Sequence, residues 1–162
     1  MRGPYDARSL TPEQIPQAFP LISVTAPGLS LERWEDYASS FFGPSGPAMT
    51  GEIVTVQNAE GYIYGLAICN PRPDLCHGRI LEVENFVSLD LTGGRRAASV
   101  LLKAAEDRAR AWDCACICIS LLGIDNSEPC ARGHPAVLLF QTAGYVGESK
   151  RLAKSLKNVL NS

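Results

Sequence analysis

The sequence predicts a single α/β domain in which helices flank a mixed, mostly antiparallel sheet. Residues 52–69 alternate apolar and polar side chains around a polar turn, which predicts an antiparallel hairpin. A strand over 79–89, a long amphipathic helix and an apolar run over 114–122 then follow in order, as in a crossover unit with parallel strands. The chain has 162 residues, 46% of them hydrophobic and 20% charged, which suits one domain with a sizeable core.

The first elements are a short strand over 5–10 and a helix that begins after Thr11. Pro12 at the first helical position and Gln14 at the third are typical of a capped helix start. Pro16 and Pro20 are expected to limit this helix.

A second helix is predicted over 31–42, because Ser30 can cap it and apolar residues recur at helical spacing. Residues 43–47 are rich in glycine and proline and are expected to form a loop. The hairpin strands follow over 52–56 and 62–69, and residues 70–74, with two prolines, are expected to end the second strand.

The continuous apolar run over 114–122 predicts a buried, central strand. A helix is expected over 134–143 and stops at Gly144, and a last strand is expected over 145–152. We divide the domain into an N-terminal acceptor side (1–50), a core (51–152) and a C-terminal tail (153–162) in which a terminal helix is conceivable.

Charge and hydropathy narrow the classes of partner. A net charge of −2 and a pI near 5.7 provide no large positive field, so we expect no nucleic-acid partner. No apolar run has the length of a membrane helix and the N-terminus lacks the apolar core of a signal peptide, so we expect no membrane partner and a cytoplasmic location.

The six cysteines fit that compartment. Cys114, Cys116 and Cys118 alternate along one strand, so we interpret them as small buried hydrophobic residues that share a face. Several other cysteines and the histidines are ligand types in loops or at strand ends, but there is no Cys-x-x-Cys pair, and we expect no metal. Cys130 and His134 lie one helical turn apart, but nothing supplies a third orienting group, and chance explains the pair better.

The most informative segment is the junction between the 79–89 strand and the long helix. Glycines let a backbone approach a phosphate closely, and first-turn amides without intrahelical partners, together with the helix dipole, attract anions. The sequence therefore predicts a diphosphate site there; the alternative is that the glycine pair is merely a tight turn. The residues expected to form this site are Gly93, Gly94, Arg95, Arg96, Ala97 and Ala98.

The order of these elements, with Leu101-Leu102-Lys103 after the glycine turn and Ala136 to Tyr145 near the end, resembles the GNAT family of acyl-CoA-dependent N-acyltransferases. The resemblance covers residues 52–152, and more weakly the N-terminal helices. It implies the family's fold and acetyl transfer from acetyl-CoA, as co-substrate, to a small-molecule or peptide amine.

The resemblance also implies a loop of pattern Arg/Gln-x-x-Gly-x-Gly/Ala around the CoA diphosphate. With Leu101-Leu102 as the anchor, Gly93 takes the first position, Arg96 the inner glycine and Ala98 the last, so only Ala98 matches. Gly94 fits the glycine that is often second in that loop.

The family's helix Ala-x-x-x-Tyr followed by Gly-Phe carries a tyrosine that protonates the leaving thiolate. Here Phe140 holds that position and cannot donate a proton, although Tyr145 is near in sequence. Gly133 replaces the family's asparagine, and Asn126 could substitute for it from the preceding loop.

The resemblance further implies that the fourth and fifth strands splay apart, which offers main-chain groups to the pantetheine arm and one N–H to the thioester carbonyl. These groups belong to Phe86, Val87, Ser88 and Leu89. Glu82 and Glu84 share a face of the strand that leads there, so Glu84 is the first candidate for the base and Glu82 the second. The alternative is that both carboxylates face solvent or pair with basic side chains.

Two further functions stay open at this point. One is a CoA-binding sensor or interaction module that has lost turnover, and the other is a scaffold of this fold that binds no CoA because Arg95 and Arg96 pair internally. The sequence leaves the oligomeric state open, with a homodimer among the options.

Overall fold

A computed structural model describes residues 4–44, 46–90, 95–120 and 135–147. Its centre is one five-stranded sheet in the order β1-β2-β3-β4-β5, antiparallel throughout except for the parallel pair β4 and β5. The predicted fold class is therefore confirmed. The strands are β1 (Asp6–Ser9), β2 (Glu52–Gln57), β3 (Ile63–Asp74), β4 (Gly78–Ser88) and β5 (Cys116–Ile119).

Helices cover both faces of the sheet. Those described are α1 (Ile15–Ile22), α2 (Leu31–Ser39), α3 (Pro47–Thr50), α4 (Arg96–Ala111) and α5 (Pro135–Thr142). Short 3-10 turns precede α1 (Pro12–Gln14) and follow α2 (Ser40–Phe42).

Alternation along the strands divides the core into two layers. One layer packs α1 and α2 against one face, with Trp34 buried and its indole N–H donating to the Ile15 carbonyl at 2.7 Å. The other layer packs the alanine- and leucine-rich stripe of α4, together with Phe140 of α5, against the opposite face. Apolar residues at period two in the strands and at helical period in α4 account for this arrangement.

Three predicted boundaries were wrong. The second hairpin strand does not end before Asn70, since β3 continues to Asp74 and pairs there with the start of β4. Its two prolines are tolerated because β2 pairs with β3 only as far as Cys69, so this extension has one free edge. Pro20 lies inside α1, which continues to Ile22, and the loop expected over 43–47 leads into α3 at Pro47.

β5 differs from the predicted central strand. It spans four residues, lies last in the described sheet, and all its side chains are partly exposed. The cysteines on it are therefore half-buried, and Cys69 on β3 is the fully buried one among the described thiols. Residues 145–147 form no strand, and the rest of the expected last strand and the tail lie outside the described residues. Within the described part of the chain, no helix has both the length and the apolar character needed to span a bilayer.

Candidate functional site

The site begins where β4 leaves β5. The two strands pair over residues 80–83, and the Val83 carbonyl still accepts a hydrogen bond from the Ser120 amide at 2.9 Å. β4 then continues to Ser88 without a strand on that edge among the described residues. Its main-chain groups over this stretch can therefore serve a ligand.

A β-bulge marks the same point. The register between β3 and β4 shifts between Leu66 and Ile68, and Asn85 takes a left-handed φ of 51°. A bulge bends its strand and redirects the next side chains, and bulges are common beside active sites. The Asn85 side chain lies 3.4 Å from the hydroxyl of Thr25, which follows α1, so the bulge faces the N-terminal helices.

Glu82 and Glu84 lie on the face of β4 opposite the one that packs against α4, since Leu81 and Val83 belong to the α4 layer. The Glu82 carboxylate accepts a hydrogen bond from Arg72 Nε at 2.6 Å. Glu84 is partly buried and close enough to the Tyr37 hydroxyl of α2 to influence its ionisation. Of the two candidate bases, Glu82 is therefore paired with Arg72, and Glu84 lies near the Tyr37 hydroxyl of α2.

Tyr37 links α2 to this carboxylate. Burial and the negative charge of Glu84 raise the pKa of the Tyr37 hydroxyl, and a hydrogen bond with the Asn70 side chain partly offsets both. Phe41 packs edge-on against Tyr37 with ring centroids 5.4 Å apart. An aromatic surface, an amide and a carboxylate therefore lie together beside the bulge, a combination that suits a polar group carried on an apolar body.

The first turn of α4 is not open as expected. The Asp90 carboxylate accepts hydrogen bonds from the Ala97 amide at 2.7 Å and from the Ala98 amide at 3.1 Å. Burial raises the pKa of Asp90, but hydrogen bonds from the Ser88 hydroxyl and these amides outweigh that effect and lower it. At the expected diphosphate site, the chain therefore supplies an anion of its own to these two amides.

A groove of about 400 Å³ runs between α4 and α5 on the outer side of the sheet. Arg95, at its α4 end, has a left-handed backbone with φ 52°, and its carbonyl accepts from the Ser99 amide at 2.9 Å. The groove is lined by Arg95, Ser99, Leu102, Lys103, Glu106, Leu139, Thr142 and Ala143.

Known proteins match this chain by structure and not by sequence. No family model matches the sequence, and no curated protein matches it. Among solved structures, glucosamine-6-phosphate N-acetyltransferase from Arabidopsis thaliana superposes with a TM-score of 0.70 at 11% identity, over 94% of this chain and 99% of that one. An aminoglycoside N-acetyltransferase solved in complex with CoA has a TM-score of 0.70 at 16% identity, with 97% of both chains covered.

The chain has the fold of the GNAT acetyltransferases. A structure described as a transcriptional regulator from Bacillus halodurans also matches, with a TM-score of 0.71 at 16% identity over 94% of this chain and 99% of that one. At sequence identities this low, the structural likeness shows a shared fold and nothing further.

The GNAT fold raises the question of whether acetyl-CoA fits. Arg95 and Lys103 line the α4–α5 groove and are suited to phosphates. Asp90 counts against binding, because its carboxylate accepts from the Ala97 and Ala98 amides, which a diphosphate at this helix start would use. The groove thus carries two cationic side chains and the Glu106 carboxylate, and the Asp90 carboxylate occupies the first-turn amides of α4.

The residue at the tyrosine position of the GNAT fold is buried. Phe140 packs edge-on against Phe86 at 5.0 Å and against Tyr145 at 5.7 Å between ring centroids. The Tyr145 hydroxyl donates to Glu106 of α4 at 3.1 Å. Burial and the charge of Glu106 raise the pKa of that hydroxyl, so it stays protonated at neutral pH.

Three of the predicted site residues, Gly93, Gly94 and Asn126, lie outside the described residues. The Cys130 and His134 pair, which we attributed to chance, lies outside them as well. In the described part of the chain, no three metal-ligating side chains come together at one point.

Sequence reasoning missed Asp90 and Asn70. Asp90 lies five residues before the N-cap Arg95, too far along the chain for the spacing of an ordinary cap to indicate it. Asn70 was interpreted as the end of a strand, and nothing in the sequence relates it to Tyr37.

Proposed function

We propose that the protein is an N-acyltransferase that moves the acetyl group of acetyl-CoA to a primary amine by direct attack. The observation that carries the proposal is the position of Glu84, beside Tyr37 and just before the bulge at which β4 leaves β5. Support comes from the fold, whose solved examples include N-acetyltransferases.

The amine must lose a proton before it can attack. Alkyl amines have pKa values of about 10, so at neutral pH they are mostly protonated, and a nearby base makes the reactive form available. Glu84 is the first candidate, acting directly or through a water molecule. Glu82, which is paired with Arg72, is the second candidate.

The thioester carbonyl develops negative charge during attack. In the proposed reaction, a main-chain N–H of residues 86–89 stabilises that oxygen, a contribution worth about 10² to 10³ in rate in other enzymes. The Leu89 N–H already donates to the Tyr64 carbonyl at 2.9 Å, so the N–H in this proposal belongs to one of residues 86–88. Pairing of Ser88 with Gly65 and of Leu89 with Tyr64 fixes the main chain of this stretch.

The nitrogen of the tetrahedral intermediate gives its second proton to water, the C–S bond breaks, and CoA leaves as the amide forms. Phe140 has no proton to give, so CoA departs as the thiolate or takes a proton from water or from Tyr145. A missing general acid lowers the rate by about 10² to 10⁴, which leaves the reaction slow but present.

The test measures acceptor-dependent CoA release by chromatography, since the six cysteines of the chain would react with thiol reagents. We expect Glu84→Gln to lower kcat/KM by about 10² or more, through loss of the base. Glu82→Gln is the matched control, with the same chemical change two residues earlier, and should remain within about tenfold of the wild type. Equal losses in both variants, or none in Glu84→Gln, would contradict the assignment of Glu84.

A CoA-binding module without turnover is the second candidate function. Phe140 favours it, because the position that carries a proton donor in the family is here part of the apolar core. CoA binding by calorimetry, with no CoA released for any amine in a broad panel, would support this second function over the first.

A further inference from the structure

We propose that the Asp90 carboxylate is an internal competitor of acetyl-CoA: it occupies the first-turn amides of α4, and a diphosphate binds there only after Asp90 withdraws. The inference rests on the proposed use of acetyl-CoA.

The contacts of Asp90 are those of a bound anion. One carboxylate oxygen accepts from the Ala97 amide at 2.7 Å, and the other accepts from the Ala98 amide at 3.1 Å and from the Ser88 hydroxyl at 2.7 Å. The main-chain carbonyl of Asp90 also accepts from the Arg95 amide at 3.2 Å. Asp90 is thus tied to both the end of β4 and the start of α4.

The competition follows from the geometry of the donors. Each amide has one hydrogen, which cannot serve a carboxylate and a phosphate oxygen at full strength at the same time. A carboxylate that stayed in place would also lie in contact with a phosphate of like charge. The helix dipole and the first-turn amides, which have no partners within the helix, attract either anion. The Asp90 carboxylate and a phosphate therefore exclude each other.

The consequence for affinity is a penalty set by the population of the uncapped state. When only a fraction of molecules is competent to bind, the apparent dissociation constant rises by the inverse of that fraction. A helix cap favours the capped state by an amount that corresponds to about a tenfold population ratio. Weakening the cap should therefore tighten CoA binding by about the same factor.

Calorimetric titrations of the full chain with CoA, and separately with pantetheine, test the proposal. Pantetheine carries the same arm as CoA without the diphosphate. We expect Asp90→Asn to lower the dissociation constant for CoA by up to about tenfold and to leave that for pantetheine unchanged. Asparagine removes the charge and one acceptor oxygen but can still cap the helix, so this variant should remain folded.

The matched control is Asp113→Asn, the same substitution just beyond the other end of α4, at a residue with a left-handed φ of 56° that suits asparagine. It should leave both dissociation constants unchanged. Asp90→Ala removes the cap entirely and should tighten CoA binding at least as much as Asp90→Asn.

Each remaining outcome counts against the proposal. Equal CoA affinity in the wild type and both Asp90 variants would place the diphosphate elsewhere, and weaker binding in the variants would make Asp90 a supporting residue. Suppose that the wild type produces CoA from acetyl-CoA in an acceptor-dependent reaction, while the wild type and the Asp90 variants bind CoA equally well. The competition by Asp90 is then refuted, and the proposed acyltransferase activity stands. If no variant binds CoA, both fail.

Discussion

The ion pair between Arg108 and Glu52 should be a principal contribution to the stability of the domain. Arg108 Nε and Nη2 donate to the two Glu52 oxygens at 3.1 Å each, and the Ser9 hydroxyl donates to the same carboxylate. The side chains are 24% and 10% exposed, so the pair lies largely out of water between the end of α4 and the start of β2. Arg108→Ala would leave the Glu52 carboxylate buried without its cation.

Loss of one partner of a buried pair costs about 3 to 5 kcal/mol, and the partial exposure of Arg108 favours the lower end. A loss of about 3 kcal/mol corresponds to a fall in Tm of about 6 to 12 °C for a chain of this size. Urea denaturation at pH 7, with the m-value held constant between variants, measures the free energy of unfolding directly.

Arg110→Ala is the matched control, because Arg110 lies on the same helix and pairs with Asp107 while its side chain is 70% exposed. Its loss should cost less than about 1 kcal/mol. The double variant Glu52→Ala/Arg108→Ala should be more stable than Arg108→Ala alone, since no buried charge is left unpaired. Equal free energies of unfolding for the two single arginine variants would refute the reasoning.

Three shorter predictions concern other residues. Because the folded-state pKa of Asp90 is lowered, the stability that its carboxylate contributes is present above its unfolded pKa of about 3.9 and is lost as the pH falls through the folded value. Asp90→Ala should therefore lower the free energy of unfolding by about 0.5 to 2 kcal/mol at pH 7 and by much less at pH 2. Urea denaturation at the two pH values measures this cost, and the same cost at both would contradict the prediction. Gly51→Ala should lower Tm more than Gly61→Ala. Both glycines have positive φ, but a Cβ at Gly51 would lie 2.6 Å from the Cys69 carbonyl oxygen, whereas a Cβ at Gly61 would meet nothing within 4 Å. Equal shifts of Tm in a thermal melt would count against this reasoning. Iodoacetamide at pH 8 should alkylate exposed Cys76 long before buried Cys69. Burial, together with the nearby Glu52 charge, raises the pKa of Cys69 to about 12, so its thiol stays protonated and unreactive. Peptide mass mapping that finds the two cysteines modified equally would be inconsistent with this.

Much of the fold was predictable because local periodicity and tertiary packing agree. The period-two hairpin, the 79–89 strand and the long helix each carry one apolar face, and each forms within a few residues of the predicted bounds. β5 differs from the predicted central strand in that it is last in the described part of the sheet and partly exposed, and a continuous apolar run does not by itself fix a strand's place in a sheet. β3 was cut short because two prolines usually end a strand, and the free edge that tolerates them is a property of the assembled sheet.

The site was less predictable, because its contacts join residues that are distant in sequence. Glu84 could be chosen from its strand position, but the difference between it and Glu82 depends on Arg72, ten residues away across the β3–β4 pair. The Asp90 cap reaches seven residues forward to Ala97, beyond the spacing of an ordinary helix cap. Propensity and spacing describe neighbours along the chain, and these interactions depend on how the strand end meets the helix.

The most direct measurement follows the acetyl group itself. The wild-type protein is incubated with acetyl-CoA carrying a carbon-13-labelled acetyl group and a panel of primary amines, and the products are analysed by mass spectrometry. The proposed function predicts that the label appears as an amide on at least one amine, at a rate that falls in Glu84→Gln and not in Glu82→Gln. Bound acetyl-CoA whose label remains on CoA, or appears only in free acetate, would contradict it.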